Sequence, residues 1–414
     1  MTPPANPEID PQSILDDLKE LQALTGDAAG AQRPAWTPAW DRARAWLREK
    51  LAGLPVTVET DPAGNTWATL PGASPRALVL GSHIDSVPNG GWLDGALGVA
   101  AGLGVLRRFS AGGTPPVTVR LVAWADEEGT QFGRSLFTSG ALEPGFDPAE
   151  IFDQTDRDGN RLPDVVARWG VDLRRMGEAA SQLRQAAAYL ELHIEQGPVL
   201  ESLNLPLAAV TGALGVERYA IRFTGQTAHA GSTPMAMRRD ALLAAARLAL
   251  EARQIAARFG GVCTVGSVIT RPGIVTAVAG ECDCTLDQRH PDPGGLAEMF
   301  AAAQAACARI AAEERVSAEW TPLFRIQPVH FTPELVELCA EAVAETCGTG
   351  WKMPSGPLHD AVSMLRSGIP TAMMFVQSLG GLSHTRLEDT REEHLRLAAR
   401  AFDRLASRAA ARLK

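Results

Sequence analysis

The chain has 414 residues, 45% of them hydrophobic and 21% charged, with a formal net charge of −9. That length exceeds one ordinary core, so two domains are expected, and the composition is that of a globular protein. The acidic balance, with no basic run interleaved with aromatics, excludes a nucleic-acid surface, and no apolar run reaches membrane-spanning length. Met1-Thr2-Pro3-Pro4 lacks the basic and apolar regions of a secretory signal. The six cysteines contain no CxxC pair and read as buried thiols of a reducing, cytoplasmic protein.

Taken along the chain, the first half alternates strand and helix. Ala77-Leu78-Val79-Leu80 is a short apolar run between Pro75 and Gly81, as expected of a buried strand. Apolar residues at helical spacing follow from Ala96 to Phe109, ending in Arg107-Arg108, which suits a helix C-terminus. Val117 to Ala125 and Tyr189 to His193 read as two further buried strands. The pattern changes near Pro206–Gly215, where alternation of Tyr219, Ile221 and Phe223 predicts a half-exposed strand. A helix over about Arg239–Arg258, strands near Val262–Thr270, Ile274–Val278 and Cys282–Gln288, a helix over Pro293–Glu314 and a strand near Val316–Leu323 follow. After Pro328 the α/β style resumes with helices Pro333–Thr346 and Asp360–Ser367, a strand Pro370–Val376 and a final amphipathic helix from Thr390. The expectation is an α/β catalytic domain (residues 1–210 and 328–414) with a mixed, largely parallel sheet flanked by helices. Into it is inserted an α+β domain of four strands and two helices (211–327).

The chemistry concentrates at strand ends. His83 and Asp85 close the first strand, Asp94 follows the Gly-rich Asn89-Gly90-Gly91 turn, and Glu127-Glu128 follow the second strand. With His193 and His384, the residues His83, Asp94 and Glu128 form a mixed imidazole–carboxylate set suited to zinc, cobalt, manganese or nickel. Ligands at the carboxyl ends of strands are where open α/β sheets place their sites. Asp85 is positioned to hydrogen-bond the His83 ring and fix its tautomer. Glu127, beside a ligand but not needed as one, is the candidate general base of a two-metal hydrolase.

These segments resemble the hydantoinase/carbamoylase family of dinuclear metal-dependent amidohydrolases. The resemblance rests on His83-Ile84-Asp85-Ser86-Val87-Pro88-Asn89-Gly90-Gly91 with Asp94-Gly95, on Leu190 to Pro198, on Ala228-His229-Ala230-Gly231-Ser232-Thr233-Pro234, on Gln288-Arg289-His290-Pro291-Asp292 and on Gly380-Gly381-Leu382-Ser383-His384. It implies two divalent ions, one held by His83, Asp94 and His193, the other by Asp94, Glu128 and His384, with Asp94 bridging. It also implies a homodimer in which His229 reaches the partner's active site and stabilises a tetrahedral intermediate. Arg289 is implied to grip a substrate carboxylate, and Gln196 and His359 to lie near the substrate. Two places depart from the family pattern. Thr276-Ala277-Val278-Ala279-Gly280 has a hydroxyl where relatives carry a carboxylate-binding asparagine, and Pro357-Leu358 replace small residues before His359-Asp360. The implied activity is hydrolysis of a linear C–N bond in a small carboxylate-bearing molecule, foremost an N-carbamoyl-L-amino acid. Allantoate-type ureido acids and N-acyl amino acids or dipeptides are the alternatives. A non-catalytic binding protein would have no use for Glu127.

Overall fold

A computed structural model describes residues 7–414; the Met1–Pro4 stretch lies outside the described residues. The chain divides into two compact units, one running up to Thr211 and resuming over His330–Lys414, the other Gly212–Val329.

The larger unit is organised by a nine-stranded sheet. Its four central strands, in the order Thr371–Val376, Ala186–Ile194, Ala77–His83 and Thr118–Trp124, run parallel. They are apolar on both faces because helices cover both, and Ala77–His83 is buried at every position. The sheet is parallel only in this centre. Leu207–Ala213 joins one side antiparallel and Thr66–Leu70 the other, so "largely parallel" needs correcting to a parallel core with antiparallel flanks. The outermost pair of strands on the second side has a local cause. Thr57–Thr60 and Thr66–Leu70 form a hairpin, and a short connection can only return the chain antiparallel. Asp61 fixes that turn by accepting hydrogen bonds from the backbone N–H groups of Ala63 and Asn65 and from the side chains of Asn65 and Trp67.

All four central strands carry their C-terminal ends to one edge. Ala77–His83 therefore ends on His83, Thr118–Trp124 leads into Asp126–Glu128, and Ala186–Ile194 ends just beyond His193. The helix Ala96–Ala111 packs on the sheet through a nearly continuous buried face, and its N-terminus follows directly on Asp94 and Gly95.

The smaller unit is an antiparallel sheet whose strand Gly215–Thr224 alternates as the sequence predicts: Tyr219, Ile221 and Phe223 are buried. The opposite face carries Arg218 and Arg222, paired with Asp287 and Asp283 across the strand pair. Helices Ala241–Phe259 and Pro293–Glu314 share a core with the apolar face, including Leu248, Cys282, Cys284, Met299, Cys307 and Ile310. The sheet has five strands rather than four, because Val262–Thr270 is interrupted. Thr264 lies opposite Asp287 and Val268 opposite Cys284, so one extra residue in the span containing Gly266 bulges out and leaves two short strands, Val262–Thr264 and Val268–Arg271. The expected strand Ile274–Val278 shrinks to Ala277–Val278, which pairs with Ala228–His229 outside the main sheet.

All six cysteines are free thiols. Among the described residues no helix is long and apolar enough to cross a membrane.

Candidate metal centre

Asp94 is the hub. Its Oδ1 lies 3.5 Å from His83 Nε2 and 3.1 Å from His193 Nε2, and its Oδ2 lies 3.4 Å from His384 Nε2. His384 Nε2 is in turn 3.4 Å from Glu128 Oε2. Two of the three clusters of ligand-type atoms among the described residues, His83–Asp94–His193 and Asp94–Glu128–His384, share the two oxygens of one carboxylate; the third is Glu191–His193–His359. The ring orientations suit metal ligation. Nδ1 of His83 faces the carbonyl of Asp85 at 3.1 Å, and Nδ1 of His193 faces the carbonyl of Ile194 at 2.9 Å. A carbonyl only accepts, so the proton of each neutral ring sits on Nδ1 and the Nε2 lone pair turns towards Asp94. Gly95 is required here: at φ 65° it turns the chain into the helix, and a Cβ would lie 2.4 Å from the His83 ring.

The electrostatics match a site built for cations. Burial pushes the Glu127 carboxyl well above its usual range, and Glu128, Asp360 and Asp85 add to the shift against an opposing pull from His83. Glu128 is pushed to about 7 by burial and by Asp94. Burial works against the Asp94 carboxylate too, but contacts with His193, His384 and His83 hold its pKa well below the usual value. Glu128 Oε1 is buried without a hydrogen-bond partner. An excess of buried carboxylates, one carrying an orphaned oxygen, beside imidazole nitrogens aimed inward is a donor set that fits divalent ions.

Glu127 differs from its neighbour. Its Oε2 is 3.9 Å from His83 Nε2, and it belongs to neither ligand cluster. Asp85 holds both glutamates in place in a way the sequence reading did not foresee. The His83 ring meets the Asp85 backbone carbonyl, whereas the Asp85 carboxylate accepts the backbone N–H groups of Glu127 and Glu128, each at 3.2 Å. Gln196 donates from Nε2 to Asp94 Oδ2 and to Ser383 Oγ, each at 3.0 Å, so it steadies the hub. His359 is buried, its ring centroid 4.3 Å from that of His193 and its Nε2 3.0 Å from Ser355 Oγ.

In the smaller unit, His229 and Thr276 are neighbours. Ala230 donates its N–H to the Thr276 carbonyl, and both His229 and Thr276 are exposed. Nδ1 of His229 accepts the N–H groups of Gly231 and Ser232, at 3.0 and 3.2 Å. The proton of the neutral ring therefore sits on Nε2, which makes it a hydrogen-bond donor. Arg289 lies on the strand Glu281–His290 and pairs through Nε with Asp287 Oδ1 at 3.0 Å.

Several residues of the centre went unread in the sequence. Glu191 is fully buried and accepts from Ser82 Oγ, Tyr189 Oη and the Ala361 N–H. Arg33 is fully buried, donates from Nε to the Ile84 carbonyl, and feels the charges of Glu388, Asp85, Asp94 and Glu128. Trp36 donates to Asp126 Oδ2. Glu191 lies inside an apolar strand run, where a buried acid is itself a signal; Arg33 carried none.

The model of peptidase family M20/M25/M40 matches residues 79–408. The chain belongs to this family. It is 30% identical to an N-carbamoyl-L-amino-acid amidohydrolase of Paenarthrobacter aurescens, over 93% of this chain and 94% of that protein. It is 32% identical to the allantoate amidohydrolase of Escherichia coli K12, over 92% and 93%. A crystal structure of a hydantoinase/carbamoylase family amidase from Burkholderia multivorans superposes with a TM-score of 0.88 at 33% identity, covering 98% of this chain and 99% of that one. This M20 chain is accordingly an amidohydrolase, with a mixed α/β fold shared with those amidases.

Proposed function

We propose that the chain hydrolyses N-carbamoyl-L-amino acids to the free amino acid, ammonia and carbon dioxide, using two divalent ions held by His83–Asp94–His193 and Asp94–Glu128–His384. The observation that carries the reading is the shared Asp94 carboxylate, with one oxygen towards each cluster and Glu127 beside both. Zinc, or manganese, cobalt or nickel, would supply Lewis acidity to the scissile carbonyl and to a nearby water. Glu127 takes the proton from that water and delivers it to the leaving nitrogen. Its raised pKa suits a group that must hold the proton between the two steps. His229 donates from Nε2 to the developing oxyanion, Gln196 keeps Asp94 oriented, and His359 supports the His193 ring. Arg289, with Thr276, binds the substrate carboxylate. The reading places the enzyme in the cytoplasm, where its six thiols stay free. The test is a hydrolysis screen of N-carbamoyl, N-formyl and N-acetyl amino acids, dipeptides and allantoate with the metal-reconstituted protein. Carbamoyl substrates are expected to lead. Preference for allantoate would move the enzyme to the alternative favoured by its Escherichia coli relative, and preference for acyl groups to an aminoacylase.

Arg289→Ala is expected to raise KM and lower kcat/KM for the best substrate by roughly 10–100-fold, the loss of a charge-assisted contact. An unchanged KM would leave Arg289 a structural residue paired with Asp287. Thr276 offers a single hydroxyl for the same carboxylate, so most of the grip falls on the guanidinium fork.

The active form in this reading is a homodimer in which the inserted unit supplies His229 to the partner's centre. Mixing inactive His229→Ala with inactive Glu127→Gln subunits is expected to regenerate some activity. Mixed dimers that form and stay silent would overturn the sharing.

A further inference from the structure

We propose that Glu388 is a positioning residue that couples the two ligand-bearing loops and holds the ion at the Asp94–Glu128–His384 cluster. This rests on the two-ion reading above. Glu388 is 2% exposed. Its Oε1 accepts the backbone N–H groups of Leu93 at 3.2 Å and Asp94 at 3.0 Å. Its Oε2 accepts from Ser383 Oγ at 3.0 Å, and that hydroxyl is also 3.2 Å from Asp94 Oδ2. Its own N–H closes a turn onto the Thr385 carbonyl. One carboxylate thus ties the loop that carries Asp94 to the turn that carries His384, across a sequence separation of 294 residues.

The two clusters differ in how much they need this strut. His83 and His193 are buried at strand ends, with Nδ1 fixed on backbone carbonyls. The side chain of His384 is 53% exposed, and its backbone sits at φ 55°, in the left-handed region that non-glycine residues uncommonly occupy. Room for the strut is built in. A Cβ on Gly91 would lie 2.1 Å from the Glu388 carboxyl, so the position is closed to any side chain while Glu388 is in place.

The experiment is calorimetric titration of the metal-free protein with cobalt(II), paired with the cobalt absorption spectrum. Wild type is expected to take two ions. Glu388→Ala is expected to lose roughly ten- to a hundredfold in affinity for one ion while the other is unchanged, and to match His384→Ala in its spectrum. Gly91→Ala, which keeps the acid but displaces it, is expected to reproduce the loss. Glu388→Gln, whose amide oxygen still accepts from Leu93 and Asp94, is expected to recover most of the affinity. Two ions of wild-type affinity on both Glu388→Ala and Gly91→Ala, or equal weakening of both sites, would overturn the coupling. Fewer than two ions on the wild type would overturn the two-ion reading itself.

Discussion

Exhaustive chelation is expected to lower hydrolysis by at least roughly a hundredfold, and zinc, cobalt or manganese to restore it, because several kcal/mol of transition-state stabilisation leave with the ions. The residues left behind cannot substitute. Without cations the centre gathers Asp85, Asp94, Asp126, Glu127, Glu128 and Asp360, and several of these are driven to hold protons. The same observation fixes a pH dependence. In the metal-free protein His384 is raised to about 9, chiefly by its hydrogen bond to Asp94, and Glu128 stands at about 7. An ion must displace a proton from each, so apparent metal affinity should climb as pH rises from 6 towards 9, with protons released on binding. Titration calorimetry in buffers of different ionisation enthalpy measures that release. Full activity in protein verified to be free of metal would sink the two-ion model.

The parts of the centre legible in the sequence were those tied to strand ends. His83, Glu127, Glu128 and His193 each follow or close an apolar run, so local pattern alone located them at one edge of a sheet. Asp94 and His384 sit in loops, where no strand pattern reaches; the Gly-rich Asn89-Gly90-Gly91 turn marked Asp94, and the motif resemblance supports both. The inserted unit kept its alternation at Tyr219, Ile221 and Phe223 because one face is covered by helices, but the bulge around Gly266 split a strand that periodicity reads as continuous. Glu388 and Arg33 were illegible for a different reason. An acid four residues past His384, followed by Asp389, looks like a solvated loop acid, and only the fold brings it onto the backbone of Leu93 and Asp94. The second carboxyl function of Asp85 was hidden likewise, since its partners are backbone N–H groups that no sequence pattern marks.

Glu127→Gln is expected to retain both ions and to lose about 10²–10⁴ in kcat, the range for removal of a positioned general base. The two adjacent glutamates are separated by geometry. Glu128 Oε2 is 3.4 Å from His384 Nε2 and within a cluster that includes Asp94, whereas Glu127 Oε2 stands 3.9 Å from His83 Nε2 and completes neither cluster. An amide at 127 preserves size and one acceptor oxygen, and Asp85 still holds the backbone on both sides, so ligand positions should not move. The loss should therefore fall on kcat with KM nearly unchanged, because the missing proton acceptor matters in the transition state and not in the ground state. Glu128→Gln should behave differently, releasing one ion to a chelator at concentrations the wild type withstands. Measuring metal content and steady-state rates on both variants distinguishes the roles. If Glu127→Gln sheds an ion while Glu128→Gln keeps two, the base and the ligand have been assigned the wrong way round, and Glu128 at its pKa of about 7 becomes the proton carrier.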